Sequence, residues 1–91
     1  MKSDKMFEEL GYTKILDDGN NFVYERELST FSHRFSQIIE ISNVTNALMI
    51  FSYKKDQFGE VCDYHNMGID LQELEAIYQK IKEIKEGIKN V

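Results

Sequence analysis

Between residues 12 and 67 the sequence alternates strand-like segments with short clusters of Gly, Asn, Asp and Ser. None of the connections is long enough to hold a crossover helix, so consecutive strands are expected to pair antiparallel. Proline is absent, and the breaks between elements are therefore read from the polar clusters alone. The pattern predicts an antiparallel meander. Its five predicted strands are residues 12–16, 22–27, 33–41, 46–53 and 60–67.

Two helices are predicted to flank the strands. Near the start, Ser3 or Asp4 can cap a helix over residues 3–10, and Gly11 then ends it in a left-handed conformation. In the last fifth of the chain, apolar residues recur at steps of three and four, which predicts an amphipathic helix. The predicted apolar face consists of Leu71, Leu74, Ile77, Tyr78, Ile81, Ile84 and Ile88.

The second helix is predicted over residues 70–86. Asp70 followed by Glu73 resembles a capping box, and Gly87 is expected to weaken or end the helix. The predicted fold is therefore α+β, with a five-stranded, mainly antiparallel sheet. A short N-terminal helix and a long C-terminal helix pack on it, within a single domain over residues 1–91.

The charge of the chain restricts its partners. Eleven Lys and Arg stand against 16 Asp and Glu, for a formal net charge of -5. No basic stripe is available to neutralise phosphates, so duplex nucleic acid is not an expected partner. Glu8, Glu9, Asp17 and Asp18 could form an acidic patch that imitates nucleic acid, although -5 is a small charge for that role. Asp17 and Asp18 are adjacent in a predicted turn, where their side chains are expected to bond the backbone of that turn.

A cytoplasmic location without membrane contact is expected. No apolar run approaches the ~18 residues of a membrane span. The start of the chain lacks the uninterrupted apolar stretch of a signal peptide. A single cysteine, Cys62, cannot form an internal disulfide bond.

Cys62, Asp63 and His65 form a local group of reactive side chains. On a strand, Asp63 and His65 point to one face and Cys62 to the other, so Cys62 and His65 are poorly placed to share a metal or act as a nucleophile and base. His33 could approach from a neighbouring strand. We expect no catalysis, no cofactor and no bound metal. A small enzyme or ligand-binding protein that uses Cys62, Asp63 and His65 is the alternative function.

The two predicted central strands are apolar on both faces. One face fits beneath the long helix, and the other, with Ile38, Leu48 and Ile50, must meet the N-terminal helix, a partner or water. Contiguous exposed apolar patches are uncommon on monomers. These three residues are therefore the candidate interaction surface for another protein or for a second copy of the chain. A non-enzymatic protein-binding or accessory module is the leading functional hypothesis.

Two segments near the ends of the chain carry a resemblance. They are residues 6–12, with the sequence MFEELGY, and residues 71–77, LQELEAI, followed by KIKE at residues 80–83. They resemble the ends of short uncharacterised proteins encoded by phages and prophages of Gram-positive bacteria, in which a strand-rich middle leads to a closing helix. Those proteins often finish in Leu-Gly-Trp, whereas KEGI stands at residues 85–88 here. The resemblance implies an origin in a mobile genetic element, and no activity or site residue.

Overall fold

A computed structural model describes residues 2–29, 34–56, 58–65 and 68–89 of the chain. The helices are Ser3–Glu9 (α1) and Leu71–Lys89 (α2), and the strands are Thr13–Asp17 (β1), Asn21–Ser29 (β2), Arg34–Ser42 (β3), Ala47–Lys55 (β4) and Val61–His65 (β5). Neighbouring strands pair antiparallel in the spatial order β1-β2-β3-β4-β5. The α+β class, the antiparallel meander and the two helices predicted from the sequence are confirmed.

Both helices lie on one face of the sheet. Phe7 of α1 stacks on Tyr24 of β2, with ring centroids 3.9 Å apart and ring planes 15° apart. Directly opposed residues of antiparallel strands share a face, so Ile39 and Ile50, which follow Tyr24 across the sheet, lie on this helix-covered face. The buried core contains Phe7, Tyr12, Phe22, Tyr24, Ile39, Ile41, Ala76 and Ile77.

The strand register corrects the predicted apolar surface. Ile41 pairs with Leu48, so Leu48 lies on the helix-covered face together with Ile50. Ile38 pairs with Phe51 and lies on the opposite face. The prediction that Ile38, Leu48 and Ile50 share a face is wrong. A shift of one residue in register exchanges the two faces of a strand, and the sequence pattern of two doubly apolar strands does not specify that register.

The opposite face of the sheet is not covered by a helix in the described part of the chain. Instead, the Tyr53 hydroxyl of β4 donates a hydrogen bond to Glu25 Oε2 of β2 at 3.0 Å, which reaches across β3. Ser36 and Ile38 lie beneath this bridge and are only 2% and 5% exposed. Cross-strand side chains thus bury the centre of this face without a second layer.

Helix α1 begins without the predicted side-chain cap. Its N-cap residue is Lys2, and no side chain of the cap position accepts a hydrogen bond from the helix. Glu83 of α2 instead accepts hydrogen bonds from the backbone N–H and the hydroxyl of Ser3, both at 2.7 Å. The predicted cap by Ser3 or Asp4 is therefore wrong, because a carboxylate from a distant helix supplies the acceptor. Gly11 adopts the predicted left-handed conformation, with φ of +91°.

Helix α2 begins as the capping box predicts. The Glu73 N–H donates to Asp70 Oδ1 at 2.8 Å, and the Asp70 N–H donates to Glu73 Oε1 at 3.2 Å. The helix does not end at Gly87 but continues to Lys89. A helical glycine costs only about 1 kcal/mol relative to alanine, which the remaining helix hydrogen bonds can offset. No helix in the described ranges combines the length and apolar character needed to cross a lipid bilayer.

Candidate functional site

The reactive group predicted at Cys62, Asp63 and His65 lies on β5, which pairs with β4 at the edge of the sheet. The structure describes the backbone of these residues, whereas their side chains and residue His33 lie outside the described part of the chain. Their proposed chemistry therefore stays a prediction. Within the described ranges, no group of three or more His, Cys, Asp or Glu side chains is arranged to hold a metal ion.

Two members of the predicted acidic patch are engaged in the β1–β2 turn. The Asp17 carboxylate accepts a hydrogen bond from Lys14 Nζ at 2.9 Å, which lowers the pKa of Asp17. The Asp18 carboxylate accepts the backbone N–H groups of Asn21 at 2.7 Å and Asn20 at 2.9 Å, and these bonds lower the pKa of Asp18. The expectation that both aspartates bond their own turn is confirmed.

A buried polar cluster, called here the Glu73 cluster, lies at the start of α2. The Tyr12 hydroxyl donates a hydrogen bond to Glu73 Oε2, and Gln37 Nε2 donates to the same oxygen at 3.5 Å. Arg26 Nη2 lies 3.5 Å from Glu73 Oε1, and the guanidinium carbon lies 4.9 Å from the centroid of the Tyr12 ring. Glu73 itself is 3% exposed. The Glu73 cluster consists of Tyr12, Arg26, Gln37, Asp70 and Glu73.

The Glu73 cluster ties the start of α2 to the sheet. Burial, followed by the hydrogen bond and charge of Glu73, raises the pKa of Tyr12, so the phenol remains a hydrogen-bond donor at neutral pH. Both carboxylate oxygens of Glu73 are engaged by other parts of the chain: Oε2 by the Tyr12 hydroxyl, and Oε1 by the Asp70 N–H and the Arg26 guanidinium. Glu73 therefore acts as a structural link between α2 and the sheet. The sequence indicated only the capping role of Glu73, because its partners Tyr12 and Arg26 lie far away along the chain.

A second polar cluster surrounds Asp4 of α1. Its carboxylate accepts hydrogen bonds from Lys14 Nζ at 2.9 Å and from the Tyr24 hydroxyl at 2.7 Å, and Lys80 Nζ lies 3.6 Å away. Partial burial raises the pKa of Asp4, but these hydrogen bonds and charges outweigh burial and leave the pKa below its ordinary value. Lys80 also lies over the Phe22 ring, 4.3 Å from its centroid. The cluster thus joins α1 to the sheet and to α2.

The sheet buries only part of the predicted apolar face of α2. Ile77 is buried, and Ile81 and Ile84 pack against the core, as predicted. Leu71, Leu74 and Tyr78 are instead 77%, 48% and 68% exposed, and the side chain of Ile88 lies outside the described part of the chain. These three residues lie at steps of three and four along one side of the helix, and we call them the α2 stripe. Within residues 71–87 of α2, the other buried residues are Glu73, Ala76 and Lys80.

The α2 stripe borders one depression, and a second depression lies along the later part of the same helix. Met6 of α1, together with Leu74 and Tyr78, lines a shallow apolar depression on the outside of the helix pair. On the sheet side, a groove of about 220 Å³ separates the second half of α2 from the β3–β4 hairpin. Ile81 of α2 and Leu48 of β4 lie on opposite walls of that groove, and Leu48 is 43% exposed. Helix α2 therefore leaves part of the helix-covered face of the sheet open beside its second half.

Among protein families, curated proteins and solved structures, none matches the chain. Function is therefore inferred from the chain's own surface. Within the described ranges, the α2 stripe and the groove along the second half of α2 combine large apolar side chains with exposure to solvent.

Proposed function

We propose that the protein is a non-enzymatic, cytoplasmic protein-binding module that contacts its partner through the α2 stripe. The exposure of Leu71, Leu74 and Tyr78 on one side of a single helix carries the proposal. An amphipathic helix turns its large apolar residues towards a core or a partner, and the core here is already formed by the other side of α2. Exposed contiguous apolar surface is characteristic of interaction sites.

The dimensions of α2 support this role. Its 19 residues span about 28 Å, comparable to the diameter of a small domain. A standard interface covers about 800 Å² of each partner, and the groove beside Leu48 extends the apolar surface beyond the helix. Tyr78 lies near the middle of α2, and tyrosine is enriched among the residues that dominate binding energy.

The net charge of the chain and the resemblance of its end segments both restrict the class of partner. A net charge of -5 without a basic stripe favours a protein over duplex nucleic acid. The resemblance of residues 6–12 and 71–83 to phage and prophage proteins supports an accessory role in a mobile genetic element. Ile38 is excluded from the proposed surface because it lies on the other face of the sheet.

Site-specific photo-crosslinking tests this proposal in living cells. Benzoylphenylalanine placed at Tyr78 is expected to give a covalent adduct with a protein. The matched control is the same residue placed at Phe58, which is 80% exposed but lies between β4 and β5. A further Leu74→Asp substitution is expected to remove the adduct from position 78, since the acid disrupts the apolar contact.

The adduct also identifies the partner by its mass. An adduct at 78 that is absent at 58 supports the proposal, whether the captured protein is a second copy or a foreign chain. No adduct at 78, or the same adduct from both positions, contradicts it. Far-ultraviolet circular dichroism of each variant verifies that α2 remains folded.

A further inference from the structure

Beyond its exposed stripe, α2 carries a seven-residue repeat. With Leu71 at position a, the next positions d and a are Leu74 and Tyr78, followed by Lys85 at a. Ile81, at the second d position, is half-buried beside the core and only its outer part is accessible. Repeats of this kind pair helices by packing a and d side chains into the facing helix. The sheet buries Ile77, at position g, whereas Leu71, Leu74 and Tyr78 are exposed and available for pairing.

We propose that the stripe binds a second copy of this chain, with the two α2 helices side by side and antiparallel. The inference rests on the proposed function and names its partner. Flanking charges set the orientation in paired helices. The g positions Ile77 and Ile84 pack against the core, so only the e positions, Glu75 and Lys82, are free to flank the seam. Facing e positions occur when the two helices run in opposite directions.

Charge also selects one register of the antiparallel pair. In one register, Tyr78 of each copy faces Ile81 of the other copy, because the two-fold axis of the dimer makes the two contacts equivalent. Glu75 of each copy then lies opposite Lys82 of the other, which forms two ion pairs. In the register shifted by one heptad, Tyr78 faces Leu74 and the two Glu75 carboxylates face one another. Repulsion between the two facing carboxylates disfavours this shifted register.

The space beside α2 can take a second helix. A standard interface covers about 800 Å² of each partner. A second α2 placed beside the first lies over β4, where Leu48 is exposed and the groove next to Ile81 is open.

Charge reversal and its rescue test the proposal on the full chain. Sedimentation velocity from low micromolar to near-millimolar concentration is expected to show a dimer for the wild-type chain. Glu75→Lys and Lys82→Glu are each expected to raise the dimer dissociation constant at least about tenfold, because each places like charges at both symmetric contacts. The double variant restores opposite charges and is expected to recover the wild-type constant within about threefold.

Glu60→Lys provides the matched control, since it makes the same charge change on an exposed residue of the β4–β5 connection. Its dissociation constant is expected to equal that of the wild type. Thermal unfolding of each variant in dilute solution separates lost pairing from lost folding. Equal weakening by Glu60→Lys, or a double variant no tighter than either single variant, overturns the antiparallel register.

Self-association and protein binding can fail separately. A wild-type chain that stays monomeric over the whole concentration range overturns the inference of a second copy. If position 78 then crosslinks to a foreign protein, the proposed function stands with a different partner. If position 78 crosslinks to nothing, both proposals fail.

Discussion

Two sides of α2 are apolar, yet the sheet buries only one of them. The buried side presents Ala76 and Ile77, with Ile81 and Ile84 packed beside them, together with two charged residues, Glu73 and Lys80. The exposed side presents Leu71, Leu74 and Tyr78, which carry no charge. Hydrophobicity alone therefore does not decide which of the two sides meets the core.

Specific partners explain the difference. The buried Glu73 has donors in Tyr12, Gln37 and Arg26, while Lys80 contacts Asp4 and the Phe22 ring. Burial of a charge is tolerated when it is paired and hydrogen-bonded. Once these partners orient the helix, the stripe is left facing solvent, with no such contact to the core. This second apolar side of α2 is the basis of the proposed association with another chain.

Truncation on the two sides of α2 sharpens this contrast most strongly. Ile77→Ala is expected to lower the free energy of unfolding by about 2–5 kcal/mol, because Ile77 is 1% exposed and the substitution leaves a cavity. Leu74→Ala is expected to lower it by less than about 1 kcal/mol in dilute solution. Urea denaturation at a concentration where the chain is monomeric measures both. Equal losses would mean that the two sides have been assigned wrongly.

The next largest effect is expected from a comparison of two glutamates of α2, one buried and one exposed. Glu73→Ala is expected to cost about 3 kcal/mol, because it removes the capping box, the acceptor of the buried Tyr12 hydroxyl and the carboxylate that faces Arg26. Glu75→Ala, on the exposed side, is expected to change the free energy of unfolding by no more than about 0.5 kcal/mol. A small effect at Glu73 would show that the Glu73 cluster does not stabilise the fold.

Acid should weaken the contacts that hold α1 beside α2. Burial raises the pKa of Glu83, but hydrogen bonds from Ser3 and Gln79 outweigh it and leave that pKa, like that of Asp4, below its ordinary value. A carboxyl group with a lowered folded-state pKa stabilises the fold above its unfolded-state pKa. That stabilisation is lost as the pH falls through the folded-state value.

The unfolding free energy is therefore expected to decline as the pH falls below about 4. Urea denaturation across that range should show a shallower decline for the double variant Asp4→Asn, Glu83→Gln. Leu74→Ala, which changes no titratable group, should keep the wild-type slope. A wild-type slope in the double variant would show that Asp4 and Glu83 do not contribute to the pH dependence of the unfolding free energy.

The smallest effect concerns the end of α2. Gly87 lies within the helix, and an added Cβ would meet no atom within 4 Å. Gly87→Ala is expected to raise the free energy of unfolding by about 0.5 kcal/mol. Gly59→Ala is the opposing control, since Gly59 has φ of +82° and alanine there is strained. Destabilisation by Gly87→Ala would mean that α2 ends before residue 87 in solution.

The sequence predicted those features that depend on near neighbours along the chain. The capping box of Asp70 and Glu73, the turn bonds of Asp17 and Asp18 and the left-handed Gly11 are all set within a few residues. The cap of α1 was mispredicted because its acceptor, Glu83, lies 80 residues from Ser3. The candidate surface of Ile38, Leu48 and Ile50 was misplaced because strand register depends on pairing between strands.

The sequence by itself determined that this chain forms an antiparallel meander flanked by two helices, since short connections and local periodicity restrict the backbone directly. Only the tertiary structure decided which side of α2 is buried. Periodicity marks an apolar helix but does not rank its sides when charged residues on one of them find buried partners elsewhere in the chain. Those long-range contacts at Glu73 and Lys80 orient α2 and leave Leu71, Leu74 and Tyr78 in solvent.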